Sequence, residues 1–448
     1  MPVWLAIYRH PRISAMLFLG FSAGLPFLLV FSTLSAWLRE AGVALSSIGL
    51  LSYVLTAYSI KVFWAPVVDR LPLPVLTRVL GRRRAWMLLA QLVIIAGLYA
   101  ISRQQIDLHL TRIVVLALVV AFASATQDIV VDAWRIEAAP DGQQGPMATA
   151  YQFGYRIGLL AASAGALWLA GEYSWQVAYG AMALLGLVGV ATTLLIGEPD
   201  PSVSRDTAAR EQRVVDWLED RAHWPQPARA LGAWFIGALV CPLTDFFQRN
   251  GAALAVLILC FIGTFRLTDI TMGVMANPFY LDMGFSKQEI AAVVKGFGLF
   301  ASFAGIVVGG LSLARLGVAR SLLIGGLLVI GSNLSFGLLA SAAEPDLLML
   351  AGVISADNLA YNFAGTAFIA YMSGLTNTAY TVTQYALFSS LFTLPGKLIA
   401  GSSGYVVEAF GYPLFFVYTS ALGIPALLLL IWLMRRLPAP PSPAASQM

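Results

Sequence analysis

Apolar runs of about twenty residues recur along the whole of this chain, and they limit its fold more than any other feature. The first, "ISAMLFLGFSAGLPFLLVFSTLSAW" (13–37), is typical. A helix crosses a hydrocarbon core of about 30 Å in roughly 20 residues. Twelve such spans can be placed, at about 13–37, 47–68, 85–102, 109–134, 147–170, 177–196, 252–281, 288–312, 319–340, 347–373, 381–409 and 412–434. Only 11% of the 448 residues are charged and 59% are hydrophobic, whereas soluble domains carry about 25% charged residues. The expected fold is an all-α membrane protein with two six-helix bundles. The first run is too long for a cleavable leader, lacks a small-residue cleavage site and leads straight into a second span.

The halves divide the chain into an N-terminal bundle (1–196), a polar linker (197–250), a C-terminal bundle (251–436) and a Pro- and Ser-rich tail (437–448) expected to be disordered. Within the linker, 207–223 reads as amphipathic and 229–243 as an interfacial or linker helix, because Pro242 and its short length argue against a thirteenth span. Shifting the chain by 242 residues lays "WLREAGVALSSIGLL" (37–51) over "FYLDMGFSKQEIAAV" (279–293), with Gly42 on Gly284. A repeat at the same turn of each half implies a substrate site between two related bundles.

The net charge of +4 could suggest nucleic acid, but the arginines lie in loops on one side. Eighteen are assigned to the two tails and to the loops after even-numbered spans, against Arg39, Arg103, Arg112 and Lys287 on the other side. That asymmetry puts both termini and the linker in the cytoplasm. Cys241 and Cys260 form no disulfide or metal pattern, and His10, His109 and His223 are scattered. No zinc, phosphate-loop or dinucleotide signature appears. An enzyme would need a nucleophile–base pair or metal ligands in one cavity. A non-transporting sensor would leave the charges inside the spans unexplained. No cofactor is expected.

Those charges are the main functional signal. In "SATQDIVVDAW" (124–134), Ser124, Asp128, Asp132 and Arg135 share one face of the fourth span. A lipid-facing acid is costly, so this face should point into the bundle or a wet cavity. Asp132 and Arg135 lie near the span end, where a solvated pair is the plainer alternative to a part for Asp132 in proton coupling. Asp128 is about two turns deeper, and Lys61 or Arg156 could reach it. A cation favours the ionised acid and burial opposes it, so Asp128 could take and release a proton as the cavity opens and closes. A structural ion pair is the competing reading. In the second half, Arg266, Asp269, Lys295, Asp357 and Lys397 are also embedded. Five embedded cations against four acids weakly favour an anionic substrate. Ser355, Asn358, Asn362 and Thr366 form a polar stripe on the tenth span, flanked by Tyr361. With Tyr151, Gln152, Tyr155 and Gln384, they suit a ligand offering hydroxyls, amides and an apolar ring face. Interhelical hydrogen bonding is the plainer alternative.

The loop "APVVDRLPLPVLTRVLGRRRAW" (65–86) resembles the signature loop of the major facilitator superfamily, with an insertion between Asp69-Arg70 and the arginine run. A gating role for Asp69 and Arg70 competes with simple anchoring of the arginines at the membrane surface. "LGFSAGLPFLLVFSTLSAWL", "SATQDIVVDAWR" and "TVTQYALFSSL" further resemble the muropeptide permeases of that superfamily, the AmpG type, over about 9–434. Related acetyl-coenzyme A transporters share a version of the fourth-span motif.

The resemblance implies import of N-acetylglucosaminyl-anhydro-N-acetylmuramyl peptides across the bacterial inner membrane, with the proton gradient as its energy source; a monomer is expected. It places the Gly24-Leu25-Pro26 turn, Lys61, Gln127, Asp128, Asp132, Asn358 and Gln384 where the family has the same residue types. Many relatives carry two further helices after the twelfth, and the alternative reading is a major facilitator permease for a siderophore or another anionic metabolite.

Overall fold

The structure is a computed structural model that describes residues 10–43, 56–138, 143–199, 214, 219–220, 223, 225–342 and 344–436. The first half of the expected second span, most of the amphipathic stretch 207–223 and the tail 437–448 lie outside them. Every regular element among the described residues is helical. Nine helices there are long and apolar enough to cross a membrane. One of these, Gln288–Ala340, contains two spans, because Gly317 at φ 76° breaks it. The second span, seen as Thr56–Ile60, Lys61–Phe63 and Ala65–Arg70, and the eleventh, Thr381–Ala400 and onward, complete a set that accommodates twelve.

The chain divides into two compact units, residues 1–246 with 372–390, and 247–371 with 391–448. In the first unit, the first span runs Pro11–Leu29, breaks at Val30–Phe31 and resumes as Ser32–Glu40. Pro26 has no N–H to donate to the preceding turn, which weakens the helix just before the break. Beyond it, Trp37 stacks on Trp175 at 5.9 Å, and the Tyr179 hydroxyl donates to the Leu29 carbonyl at 2.7 Å. These contacts anchor the sixth span, Trp175–Leu195, to the first around an aliphatic core that includes Leu34, Ile94, Leu98 and Ile113.

The first and fifth spans meet along glycines. A Cβ on Gly20 or Gly24 would run into the Tyr151 or Tyr155 backbone, and one on Gly154 or Gly158 into the Leu17 or Phe21 carbonyl. Two GxxxG repeats thus bring the two backbones together, which is how membrane helices gain packing without a hydrophobic driving force. Gly154→Ala is expected to destabilise the protein by about 1–3 kcal/mol through overpacking. An unchanged melting temperature in detergent would contradict that.

The second unit has an aromatic core in which Phe279, Phe336, Phe415 and Phe416 are fully buried. Its seventh span is interrupted at Arg266, between Ala252–Phe265 and Leu267–Asp282. The repeat read in the sequence recurs in the backbone of each unit. Gly42 (φ 80°) and Gly284 (φ 91°) are both left-handed. The Gly42 and Val43 N–H groups donate to the Arg39 and Leu38 carbonyls, and those of Gly284 and Phe285 donate to Leu281 and Tyr280. This is the same glycine-capped helix end twice, 242 residues apart.

Candidate functional site

Lys61 sits on a 3₁₀ turn, Lys61–Phe63, that interrupts the second helix and is buried. It acts electrostatically on Asp128, whose other charged neighbour is Asp132. Of the two cations the sequence offered, the structure thus supplies Lys61; Arg156 lies half-buried on the fifth span. Around Asp128, Tyr58 and Ser124 interact with each other, and Asp128 Oδ1 and Gln127 Nε2 are buried with no hydrogen-bond partner. Gln127 Oε1 accepts from Ser22 at 3.4 Å. Tyr151, whose ring lies 5.9 Å from that of Tyr155, also feels Asp128 and Asp132. Unsatisfied buried polar atoms are costly and uncommon, and a pair of them at an acid is the arrangement a proton or ligand would complete.

Asp132 and Arg135 are not a solvated pair. Arg135 is fully buried, 3.1 Å from Asp132, and donates to Ser373 Oγ at 2.6 Å. Its guanidinium lies 5.3 Å from the centre of the Tyr385 ring. The reason is the 372–390 segment, which packs within the first unit and covers what would otherwise be a helix end. Gln384 belongs to the same segment. Its Nε2 donates to Asp245 and to the Pro242 carbonyl, and its Oε1 accepts from the Asn377 N–H. Asn377 also donates to Asp245. Asp245 lies on the helix Cys241–Asn250, which continues from Gln226–Phe235 through a π-helical turn.

At the arginine-rich end, Asp69 pairs with Arg83 at 2.9 Å, and Arg83 also grips Glu137 at 2.7 Å. Glu198 accepts the Arg83 and Arg84 N–H groups at the start of the third helix. Arg70 donates to the Gly237 carbonyl. Gly24 and Pro26 are buried in the first span.

In the second unit, Arg266 pairs with Asp269 at 2.6 Å and lies over the Tyr361 ring, 3.8 Å from its centre. Asn358 accepts from Ser302 at 2.9 Å. Asn358, Asn362 and Thr366 each donate to the carbonyl four residues earlier in their own helix. Gln152 is half-buried on the fifth span, and Lys397 is exposed. Lys295 is exposed on a π-helical turn, Val294–Gly298, an irregularity frequent at functional sites. Sequence reasoning did not single out Arg83, Glu137 or Asp245, and it did not pair Arg266 with Tyr361. Arg266 and Asp269, three residues apart, were the one visible signal of that pairing.

Broken helices, embedded ion pairs and a repeated bundle define a polytopic solute carrier. The profile of the Major Facilitator Superfamily matches residues 16–400, and the chain belongs to that family. It is a multi-pass membrane transporter, not an enzyme. It is 34% identical over 430 residues to the anhydromuropeptide permease of Escherichia coli K12, covering 96% of this chain and 81% of that one. It is 32% identical over 432 residues to a putative transporter AmpG 4 of Rickettsia felis, covering 96% and 98%. The solved proton:xylose symporter XylE, bound to 6-bromo-6-deoxy-D-glucose, superposes with a TM-score of 0.69 over 95% of this chain and 96% of its own, at 12% identity. That likeness shows the fold.

Proposed function

We propose that this protein imports anhydromuropeptides across the bacterial inner membrane for cell-wall recycling, coupled to proton entry, as a monomer with both termini in the cytoplasm. The observation that carries the reading is the 34% identity, sustained over 430 residues, to a permease for that substrate class. Buried Asp128, on which Lys61 acts electrostatically, supports the coupling, because it offers one acid whose proton affinity a conformational change can alter. Substrate carboxylates suit the cations Arg266, Lys295 and Lys397. Sugar hydroxyls and amides suit Tyr151, Gln152, Tyr155, Asn358 and Tyr361.

The test is uptake of labelled anhydromuropeptide by purified protein in liposomes, with excess unlabelled competitors. The anhydro-disaccharide peptide should suppress uptake fully, and a siderophore or an unrelated anionic metabolite should not. Suppression by the siderophore alone would reject the substrate and leave the carrier.

A further inference from the structure

We propose that the outer groove between the third and fourth spans, with the arginines beside it, holds one anionic phospholipid. The groove is a cavity of 390 Å³ between Arg82–Ser102 and Ile106–Glu137. Its walls are apolar, with Leu89 and Val93 on one side and Leu118, Val119 and Phe122 on the other. Leu118, Val119 and Phe122 are each about 40% exposed, a surface that a hydrocarbon chain would cover.

The arginine-rich end is built for an amphiphile. The Trp86 indole lines the groove and donates to the Leu71 carbonyl at 2.8 Å. That bond ties the groove to the segment 71–80, whose Leu71, Val75 and Val79 are 50, 70 and 75% exposed. Trp64 donates to Thr126, in the wall of the groove itself. The Trp86 indole beside an exposed apolar platform marks the membrane–water boundary.

The charge there selects the headgroup. Five arginines (Arg70, Arg78, Arg82, Arg83 and Arg84) and three carboxylates (Asp69, Glu137 and Glu198) belong to this end, where Arg82 and Arg83 face Asp69 and Glu137. Arg83 joins Asp69 to Glu137, Arg84 donates to the Thr193 and Leu194 carbonyls, and Arg70 donates to Gly237. Arg82 feels all three acids but is half-buried one turn before Trp86, on the face that continues into the groove. Arg78 is exposed on the platform. Among these eight groups the surplus is two positive charges, with Arg82 one turn from Trp86 and Arg78 on the platform that Trp86 ties to the groove. A neutral lipid would leave that surplus unmatched, and a soluble anion would leave the groove unfilled. A basic surface at the end of an interhelical groove fits an anionic lipid headgroup with its chain laid between the helices.

Native mass spectrometry of the purified protein, titrated with phosphatidylglycerol or phosphatidylcholine, tests this. One phosphatidylglycerol should be retained at least tenfold better than phosphatidylcholine. Arg78→Gln should cut that preference several-fold, and Arg78→Gln with Arg82→Gln should abolish it. Val119→Trp, which fills the groove from an exposed position, should lower retention of both lipids. Equal retention of the two lipids by the parent, or an unchanged preference in Arg78→Gln, would mean ordinary annular lipid and overturn the proposal.

Discussion

Asp128→Asn is expected to abolish gradient-driven accumulation while leaving substrate binding and exchange largely intact. The amide keeps the shape of a protonated carboxyl but can neither release a proton nor hold a charge against Lys61. One charge crossing a 100 mV potential is worth about 2.3 kcal/mol, enough to sustain roughly a fiftyfold concentration ratio. With Asn at 128, the ratio of inside to outside substrate should fall to about one. Lys61 neighbours Asp128, and Asp128 Oδ1 is buried with no donor facing it. A site with one orphaned oxygen and one cation can change its proton occupancy when either moves. Asp132→Asn should do less, because Asp132 is held by Arg135. A variant at 128 that concentrates substrate as well as the parent would refute the coupling role.

Arg83→Leu is expected to destabilise the protein by about 3–5 kcal/mol, because removing one member of a buried ionic cluster leaves the others uncompensated. Arg83 is 4% exposed, and its guanidinium contacts both Asp69 and Glu137. Replacing both acids by their amides in the Arg83→Leu background should recover much of the loss, since no unpaired charge would remain. Thermal unfolding in detergent reads both effects. Equal melting of Arg83→Leu and the parent would show that the cluster is solvated.

The spans were legible because lipid imposes one rule on every residue that meets it: a long apolar run whose backbone bonds to itself. The repeat was legible at Gly42 and Gly284 for a similar reason, since a helix that ends in a left-handed residue selects glycine. Partners across helices were not legible. Arg135 read as a surface residue because its neighbours Ser373 and Tyr385 lie more than two hundred residues away in sequence. Gln384 read as a ligand amide, yet its hydrogen bonds run to Asp245, Pro242 and Asn377. Of three adjacent arginines, nothing in one dimension singled out Arg83 as the one that binds two acids. The glycine seam was present in the sequence as GFSAG (20–24) and GYRIG (154–158), a spacing that itself suggests close helix contact. Asp128 stood out because a carboxylate in a largely apolar span needs a reason, and matching depth along a second helix drew attention to Lys61.

The most direct test of the account is uptake of anhydromuropeptide into liposomes bearing the purified protein, with the outside made acidic and then with the gradient collapsed by a protonophore. The account predicts accumulation well above the external concentration in the first condition and simple equilibration in the second. Accumulation that survives collapse of the proton gradient, or no uptake of anhydromuropeptide in either condition, would contradict it.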